Sequence, residues 1–103
     1  MNAASAPRSS LPMAFYCYIL LCADGTYYTG WSTDPERRCR QHNAGRGARY
    51  TRSRRPVRLV FMQEFPDRAS AMQRETQIKR LSRQGKEKLI NQGKGVARNA
   101  PTP

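Results

Sequence analysis

Two short runs of aromatic and β-branched residues, separated by a turn, constrain the fold of this chain more than any other feature. Phe15–Cys22 (FYCYILLC) and Tyr27–Ser32 (YYTGWS) have the composition of β-strands. The segment between them, Ala23-Asp24-Gly25-Thr26, contains the residue types that tight turns favour. The pattern therefore predicts a β-hairpin.

Capping and turn residues place the other elements. A helix opens at Thr33-Asp34-Pro35-Glu36, through either an Asp34 cap or a Thr33–Glu36 capping box, and is expected to end near Gly45. A basic loop, a third strand and two further helices follow, at 45–56, Val57–Phe65, Arg68–Leu81 and from Ser82 to Ile90. The order ββαβαα predicts an α+β fold in which helices flank a small three-stranded, mostly antiparallel sheet.

Length and composition predict one domain at residues 15–91, between disordered tails at 1–14 and 92–103. The three cysteines, Cys17, Cys22 and Cys39, have no CxxC spacing, which disfavours a zinc cluster or a disulfide framework and favours a reducing cytoplasm. The longest apolar run, Phe15–Ala23, is too short to span a bilayer, and no secretory signal is visible, so we expect no membrane association.

The charge distribution points to a polyanionic partner. Nineteen Lys and Arg against seven Asp and Glu give a net charge of +12. Arg37–Arg58 contains nine arginines and no acid, which is typical of a surface that binds phosphate. Composition alone leaves DNA, RNA and an anionic membrane surface open.

Glu75 is an acid on the apolar side of its predicted helix. The apolar positions of that helix are Ala71, Met72, Ile78 and Leu81, and Glu75 lies three residues from both Met72 and Ile78. An ionised carboxylate on an inward face needs a positive partner. Two interpretations remain open at this point: a salt bridge to an arginine, or a ligand for Mg²⁺ or Mn²⁺.

Arg38 and His42 are four residues apart and therefore share one face of the first helix, with Cys39 marking its buried side. An arginine can neutralise charge on a phosphate, and an imidazole can donate or accept a proton, although a lone histidine is more often structural. In the hairpin, Gly30 lies inside a strand among tyrosines. A glycine there removes a side chain where another group must approach closely.

Together these residues resemble the GIY-YIG nuclease superfamily, and in particular its small stand-alone bacterial branch. The resemblance covers residues 15–91 and is carried by Tyr16-Cys17-Tyr18, Tyr28-Thr29-Gly30, Arg38 with His42, and Glu75. The sequence departs from the motif where Tyr16-Cys17 replace Gly-Ile and Thr29 replaces the central Ile, but both motif tyrosines are kept.

The resemblance implies a role for each matching residue. Tyr18 and Tyr28 correspond to the motif tyrosines, Arg38 to the catalytic arginine, Glu75 to the ligand of one divalent metal ion, Mg²⁺ or Mn²⁺, and His42 to a position that assists catalysis in some members. Tyr18 would orient or deprotonate the attacking water, with help from the surrounding arginines. Asn91 is a further polar residue beyond the glutamate helix, without an assigned role. The loop would hold the nucleic-acid backbone through Arg46, Arg49, Arg52, Arg54 and Arg55.

The function expected on this basis is metal-dependent hydrolysis of phosphodiester bonds in DNA, with RNA not excluded. The main alternative is a basic module that binds DNA or RNA without cutting it. Glu75 separates the two, because an acid facing bound phosphate hinders a pure binder unless a metal lies between them. The preferred nucleic-acid structure, and any partner protein that supplies targeting, stay open.

Overall fold

A computed structural model of the protein describes residues 14–92 and contains one three-stranded sheet. The strands are β1 (Phe15–Leu21), β2 (Tyr27–Ser32) and β3 (Arg58–Phe65). β1 is the central strand and pairs antiparallel with both neighbours, in the order β2-β1-β3. The predicted α+β fold is confirmed, and every pairing in this sheet is antiparallel.

The predicted hairpin joins β1 to β2, and its turn is stabilised locally. The Asp24 carboxylate accepts hydrogen bonds from the backbone N–H and the hydroxyl of Thr26, at 3.1 and 2.6 Å. Gly25 has a φ of 85°, a conformation that glycine adopts without steric cost. Across the hairpin Tyr18 lies opposite Gly30.

Three of the four helices begin at the capping residues that the sequence indicates. The helices are α1 (Pro35–Asn43), α2 (Arg49–Arg52), α3 (Arg68–Lys79) and α4 (Arg83–Asn91). Asp34 caps α1 through the Arg37 N–H at 3.2 Å, which settles the choice between the two predicted caps. Ser82 caps α4 in the same way. The one-turn helix α2 lies inside the segment predicted as a loop.

The core has two parts, one on each face of the sheet. Tyr16, Tyr18 and Leu20 of β1 point to one face and pack with Cys39 of α1. Alternate residues of β1 point to the opposite face, where they pack against Ile78 of α3 and Leu89 of α4. The sheet therefore separates α1 from α3 and α4.

Two predicted core residues of α3 are in fact exposed. Ala71 and Ile78 are fully buried, but Met72 is 44% exposed and Leu81 39% exposed. A residue adjacent to Ala71 lies roughly 100° further around a helix. That rotation takes Met72 away from the sheet, and Leu81 lies beyond the last helical residue, Lys79.

The predicted tails at 1–14 and 92–103 lie almost entirely outside the described residues, and their disorder stays a prediction. Within residues 14–92, no helix is long and apolar enough to cross a membrane.

Candidate active site

Position 30 accommodates only a glycine, because the Tyr18 ring lies directly against its backbone. A β-carbon added at Gly30 would lie 2.7 Å from the Tyr18 Oη and 2.8 Å from its Cζ, closer than packed atoms approach. Tyr18 is 1% exposed, so its ring has little room to move elsewhere. The close approach expected at this strand glycine is therefore made by the motif tyrosine on the neighbouring strand.

Gly30→Ala is expected to displace Tyr18 and to destabilise the fold by about 1–3 kcal/mol through overpacking. Thermal unfolding and near-ultraviolet circular dichroism measure both effects. Gly85→Ala is the matched control, because its β-carbon would approach nothing closer than the exposed Leu81 side chain at 3.3 Å and the exposed Ser82 hydroxyl at 3.4 Å. That control is expected to melt no lower than the parent, since alanine favours a helix over glycine. Equal melting temperatures for the parent and Gly30→Ala would contradict this packing argument.

His42 is completely buried beside Tyr18, and both of its ring nitrogens have partners inside the protein. Nδ1 lies 2.7 Å from the Thr51 hydroxyl and accepts the Ala48 N–H at 3.3 Å. Nε2 lies 3.3 Å from the Tyr18 Oη. Gly47 packs so closely against the imidazole that any side chain there would collide with it. His42 is thus enclosed by the protein, and its polar contact on the sheet side is the Tyr18 hydroxyl.

Burial, reinforced by the positive charge of Arg38, lowers the pKa of His42 from 6.5 to about 4. Between about pH 6.5 and pH 4, the imidazole is therefore neutral in the folded protein but protonated in the unfolded chain.

Because of this lowered pKa, the free energy of unfolding is expected to fall as the pH decreases from about 6.5 towards 4. Melting temperatures measured across that range test the expectation. His42→Gln removes the titrating ring and should flatten this part of the profile, while any contribution from carboxylates remains. Parallel profiles for the parent and His42→Gln would show that another group causes the pH dependence.

Arg38 approaches Tyr18 from the same helix as His42. Its guanidinium donates a hydrogen bond to Gln41 Oε1 at 2.9 Å and lies within hydrogen-bonding reach of the Tyr18 hydroxyl. Burial nevertheless raises the pKa of Tyr18 well above its ordinary value, and Arg38 offsets only part of that increase. Arg38 therefore eases ionisation of Tyr18, as expected, but burial opposes it more strongly, so the hydroxyl is better suited to orient a water molecule than to deprotonate one.

Tyr28 lies on the edge strand β2, next to the buried cluster. Its ring centroid is 5.2 Å from that of His42 and 6.1 Å from that of Tyr50, with which it stacks. The Arg54 guanidinium covers the Tyr50 ring at 3.9 Å. A row of rings thus connects the buried histidine with the surface at α2.

Glu75 lies on α3, on the other face of the sheet from Arg38 and His42. Its side chain is 19% exposed and forms an ion pair with Lys79 at 3.1 Å. Burial raises the pKa of Cys17 to about 12, and the charge of Glu75 adds to that increase. The same charge also acts on Tyr18. Glu75 is therefore close to central strand β1, and its partner is a lysine rather than an arginine.

A groove along the edge of β2 connects the two faces of the sheet. Its lining includes Tyr28 and Tyr50 on the α1 side and Lys79 on the α3 side. Thr29 also lines it, and the buried Thr29 hydroxyl has no hydrogen-bond partner among residues 14–92. The groove brings polar groups of both faces to one edge.

Among the described residues no three His, Cys, Asp or Glu side chains form a cluster that could hold a metal ion by themselves. A divalent ion at Glu75, the ligand that the family resemblance implies, would therefore need its other ligands from water and a bound phosphate. Mg²⁺ keeps several waters and commonly uses one or two carboxylates plus substrate phosphate. The unpaired Thr29 hydroxyl could bind one such water. Lys79 now contacts the Glu75 carboxylate, so a metal must displace it.

The five arginines predicted to bind nucleic acid fall into two groups. Arg46, Arg49 and Arg52 are exposed, and their side chains make no hydrogen bond or ion pair within residues 14–92. Arg54 pairs with Asp24 at 3.0 Å, and Arg55 donates to backbone carbonyls, including that of Asn43. A phosphate at Arg54 or Arg55 would compete with these internal contacts.

Several residues of the site carry no signal in the sequence. Thr51 and Gly47 orient His42, Gln41 holds Arg38, and Tyr50 stacks on Tyr28. Three of these four lie in the segment read as a loop, where periodicity gives no information about contacts. Asn91 is exposed at the end of α4 and makes no side-chain hydrogen bond within the described part of the chain.

The antiparallel sheet, with two tyrosines facing an arginine–histidine helix and a glutamate on a later helix, defines a class of nuclease domain. The sequence model of the GIY-YIG catalytic domain matches residues 14–89. The chain therefore belongs to the GIY-YIG family.

Within that family, the chain is similar to small proteins named UPF0213. It is 55% identical over 75 residues to the UPF0213 protein of Natronomonas pharaonis, an alignment that covers 73% of this chain and 88% of the relative. The Haloquadratum walsbyi protein is 48% identical over 81 residues, covering 79% and 91% of the two chains. These relatives consist of little more than the domain itself, as expected of the stand-alone branch.

Solved structures of relatives have the same fold. The solution NMR structure of the UPF0213 protein from Bacillus halodurans matches with a TM-score of 0.52 at 48% identity, covering 81% of this chain and 88% of that one. A solution NMR structure of an E. faecalis protein matches with a TM-score of 0.54 at 38% identity, covering 82% and 90%.

Proposed function

We propose that this protein is a metal-dependent nuclease that hydrolyses phosphodiester bonds in DNA. The main support comes from the groups that surround the Tyr18 hydroxyl. Arg38 and His42 converge on this group, and the charge of Glu75 reaches it. An oriented hydroxyl and a fixed guanidinium can promote hydrolysis of a phosphate ester, and a carboxylate can hold the metal ion that assists it.

Each residue then has a defined task. Arg38, fixed by Gln41, offsets the charge that develops on the phosphate oxygens. Tyr18 orients the attacking water, and His42 holds the Tyr18 hydroxyl in place. Tyr28 carries a second hydroxyl at the edge strand, next to the groove.

Glu75 would hold one Mg²⁺ or Mn²⁺ ion, which when bound stabilises negative charge on the phosphate and lowers the pKa of a bound water. The Lys79 ammonium is released from Glu75 in that state. It already lines the groove, together with Lys86, so it remains available to a phosphate there.

The exposed arginines Arg46, Arg49 and Arg52 supply contacts to the nucleic-acid backbone that position the substrate without reading its sequence. Cys17, Cys22 and Cys39 are buried free thiols, which suits a reducing cytoplasm as the location of the protein.

Incubation with labelled duplex, single-stranded and branched DNA, and with RNA, in Mg²⁺ or EDTA tests the proposal. We expect DNA to be cut in Mg²⁺ and to stay intact in EDTA. Tight binding to all of these nucleic acids without cleavage of any would identify a binding module instead. Cleavage of RNA alone would contradict the assignment of DNA as substrate.

A further inference from the structure

A second basic depression lies beside α1, away from the catalytic cluster. It runs between α1 and the segment at 52–58, and we call it the basic cleft. Its arginines come from α1, from α2 with the loop after it, and from the start of β3: Arg40, Arg52, Arg55 and Arg58. Glu36 is the one acid in its lining. Of these arginines, only Arg52 also belongs to the backbone contacts proposed above.

The geometry of α1 places the basic cleft and the catalytic cluster on opposite flanks of one helix. Pro35, Cys39 and His42 form the buried line of α1. At roughly 100° per residue, Arg40 and Asn43 lie on one side of that line, and Arg38 and Gln41 lie on the other. A shallow depression on the Arg38 side is lined by Arg37, Arg38 and Gln41, together with the capping residue Asp34. Two depressions that contain arginines therefore border the same helix.

The separation of these two surfaces is set by the thickness of a helix, about 10–12 Å with side chains. The major groove of B-form DNA is about 12 Å wide and admits one α-helix between its two backbones. The outward side of α1, which includes Arg37, Arg40 and Ala44, is exposed and carries no acid.

We propose that α1 lies in the major groove of double-stranded DNA, with one backbone at the catalytic cluster and the other in the basic cleft. This proposal rests on the proposed nuclease function, because that function assigns the cleaved strand to the Arg38 flank. Double-stranded DNA is then the substrate class. Single-stranded DNA occupies only the Arg38 flank, and an RNA duplex fits poorly because its major groove is deep and narrow.

Binding measurements in EDTA test the basic cleft without cleavage. Arg40→Gln with Arg58→Gln removes two exposed charges of the cleft and leaves the catalytic cluster intact. Arg80→Gln with Lys88→Gln is the matched control, because it removes the same charge from two exposed positions outside both depressions, one directly after α3 and one on α4. Fluorescence anisotropy is measured with a labelled DNA duplex, its single strand and the corresponding RNA duplex, over a range of salt concentrations.

The cleft variant is expected to bind the DNA duplex about tenfold more weakly at low salt. The slope of its log affinity against log salt concentration should be less steep by about two. Its affinity for single-stranded DNA should change by no more than about twofold, and the control should keep the parent's preference for duplex. Equal losses on both DNA substrates, no loss on the duplex, or parent binding to RNA duplex as tight as to DNA duplex would each overturn the proposal.

These results separate the inference from the proposed function. If the protein shows the expected binding pattern but never cuts DNA in Mg²⁺, only the proposed nuclease activity is wrong. If the protein cuts DNA in Mg²⁺ but binds duplex and single strand equally well, only the placement of α1 in the major groove is wrong.

Discussion

Glu75→Gln is expected to abolish DNA cleavage while the protein stays folded and binds DNA at least as tightly as the parent. The amide is a far weaker metal ligand than the carboxylate, so the proposed ion is lost. Affinity for DNA can rise because a negative charge disappears beside the phosphates. Cleavage assays in Mg²⁺ and Mn²⁺, with binding measured in EDTA, check both parts of the prediction.

The ion pair that Glu75 makes allows this variant to remain folded. Its partner Lys79 is 54% exposed and one helical turn away, and such pairs contribute only about 0.3–0.5 kcal/mol. The melting temperature is therefore expected to fall by no more than about 4 °C. If Glu75 instead neutralised a buried arginine, its removal would lower the free energy of unfolding by about 3–5 kcal/mol.

Glu87→Gln is the matched control for Glu75→Gln. Glu87 forms the equivalent pair with Arg83 on α4, at 3.0 Å, also accepts a hydrogen bond from the Tyr27 hydroxyl at 3.4 Å, and has no catalytic or metal-binding role in the proposed site. This variant should cut DNA like the parent. Early melting of Glu75→Gln, with cleavage by the fraction that stays folded, would assign Glu75 a structural role.

Arg38→Lys is expected to reduce cleavage by about 10²-fold or more, with little change in melting temperature. The planar guanidinium is held by Gln41 next to the Tyr18 hydroxyl, and its remaining N–H groups can bind a phosphate in the paired geometry that a guanidinium favours. A lysine ammonium keeps the charge but cannot reproduce this geometry.

Arg80→Lys controls for the general basic surface, because Arg80 is an exposed arginine that lines neither of the depressions beside α1. Its cleavage rate should stay close to that of the parent. If Arg38→Lys also cleaved at the parent rate, Arg38 would belong to the general basic surface and not to the catalytic cluster.

Local sequence patterns were sufficient to predict every strand and helix of this fold except the one-turn helix α2. The hairpin depends on Asp24 and Gly25 in its turn, and α1 and α4 depend on the caps at Asp34 and Ser82. These interactions join residues within a few positions of each other, so the sequence shows both partners together. The strand order, with β1 between β2 and β3, depends on long-range pairing and only appears in the structure.

The environment of the site residues could not be predicted in the same way. The pKa of Tyr18 is set mainly by the burial of its ring, which packs against Gly30. Glu75 pairs with a lysine because of the way α3 is oriented on the sheet. Thr51 contacts His42 because α2 folds back onto α1, and the arginine-rich sequence of that segment looks like an open loop. Contacts of this kind need the packed structure.

Single-turnover cleavage of a labelled DNA duplex by the parent protein and by Glu75→Gln, purified side by side, tests the central claim most directly. The account predicts that the parent cuts the duplex in Mg²⁺ or Mn²⁺ and not in EDTA, while Glu75→Gln binds the same duplex and leaves it intact. Equal cleavage by both preparations, or no cleavage of bound duplex by the parent in either metal, would contradict it.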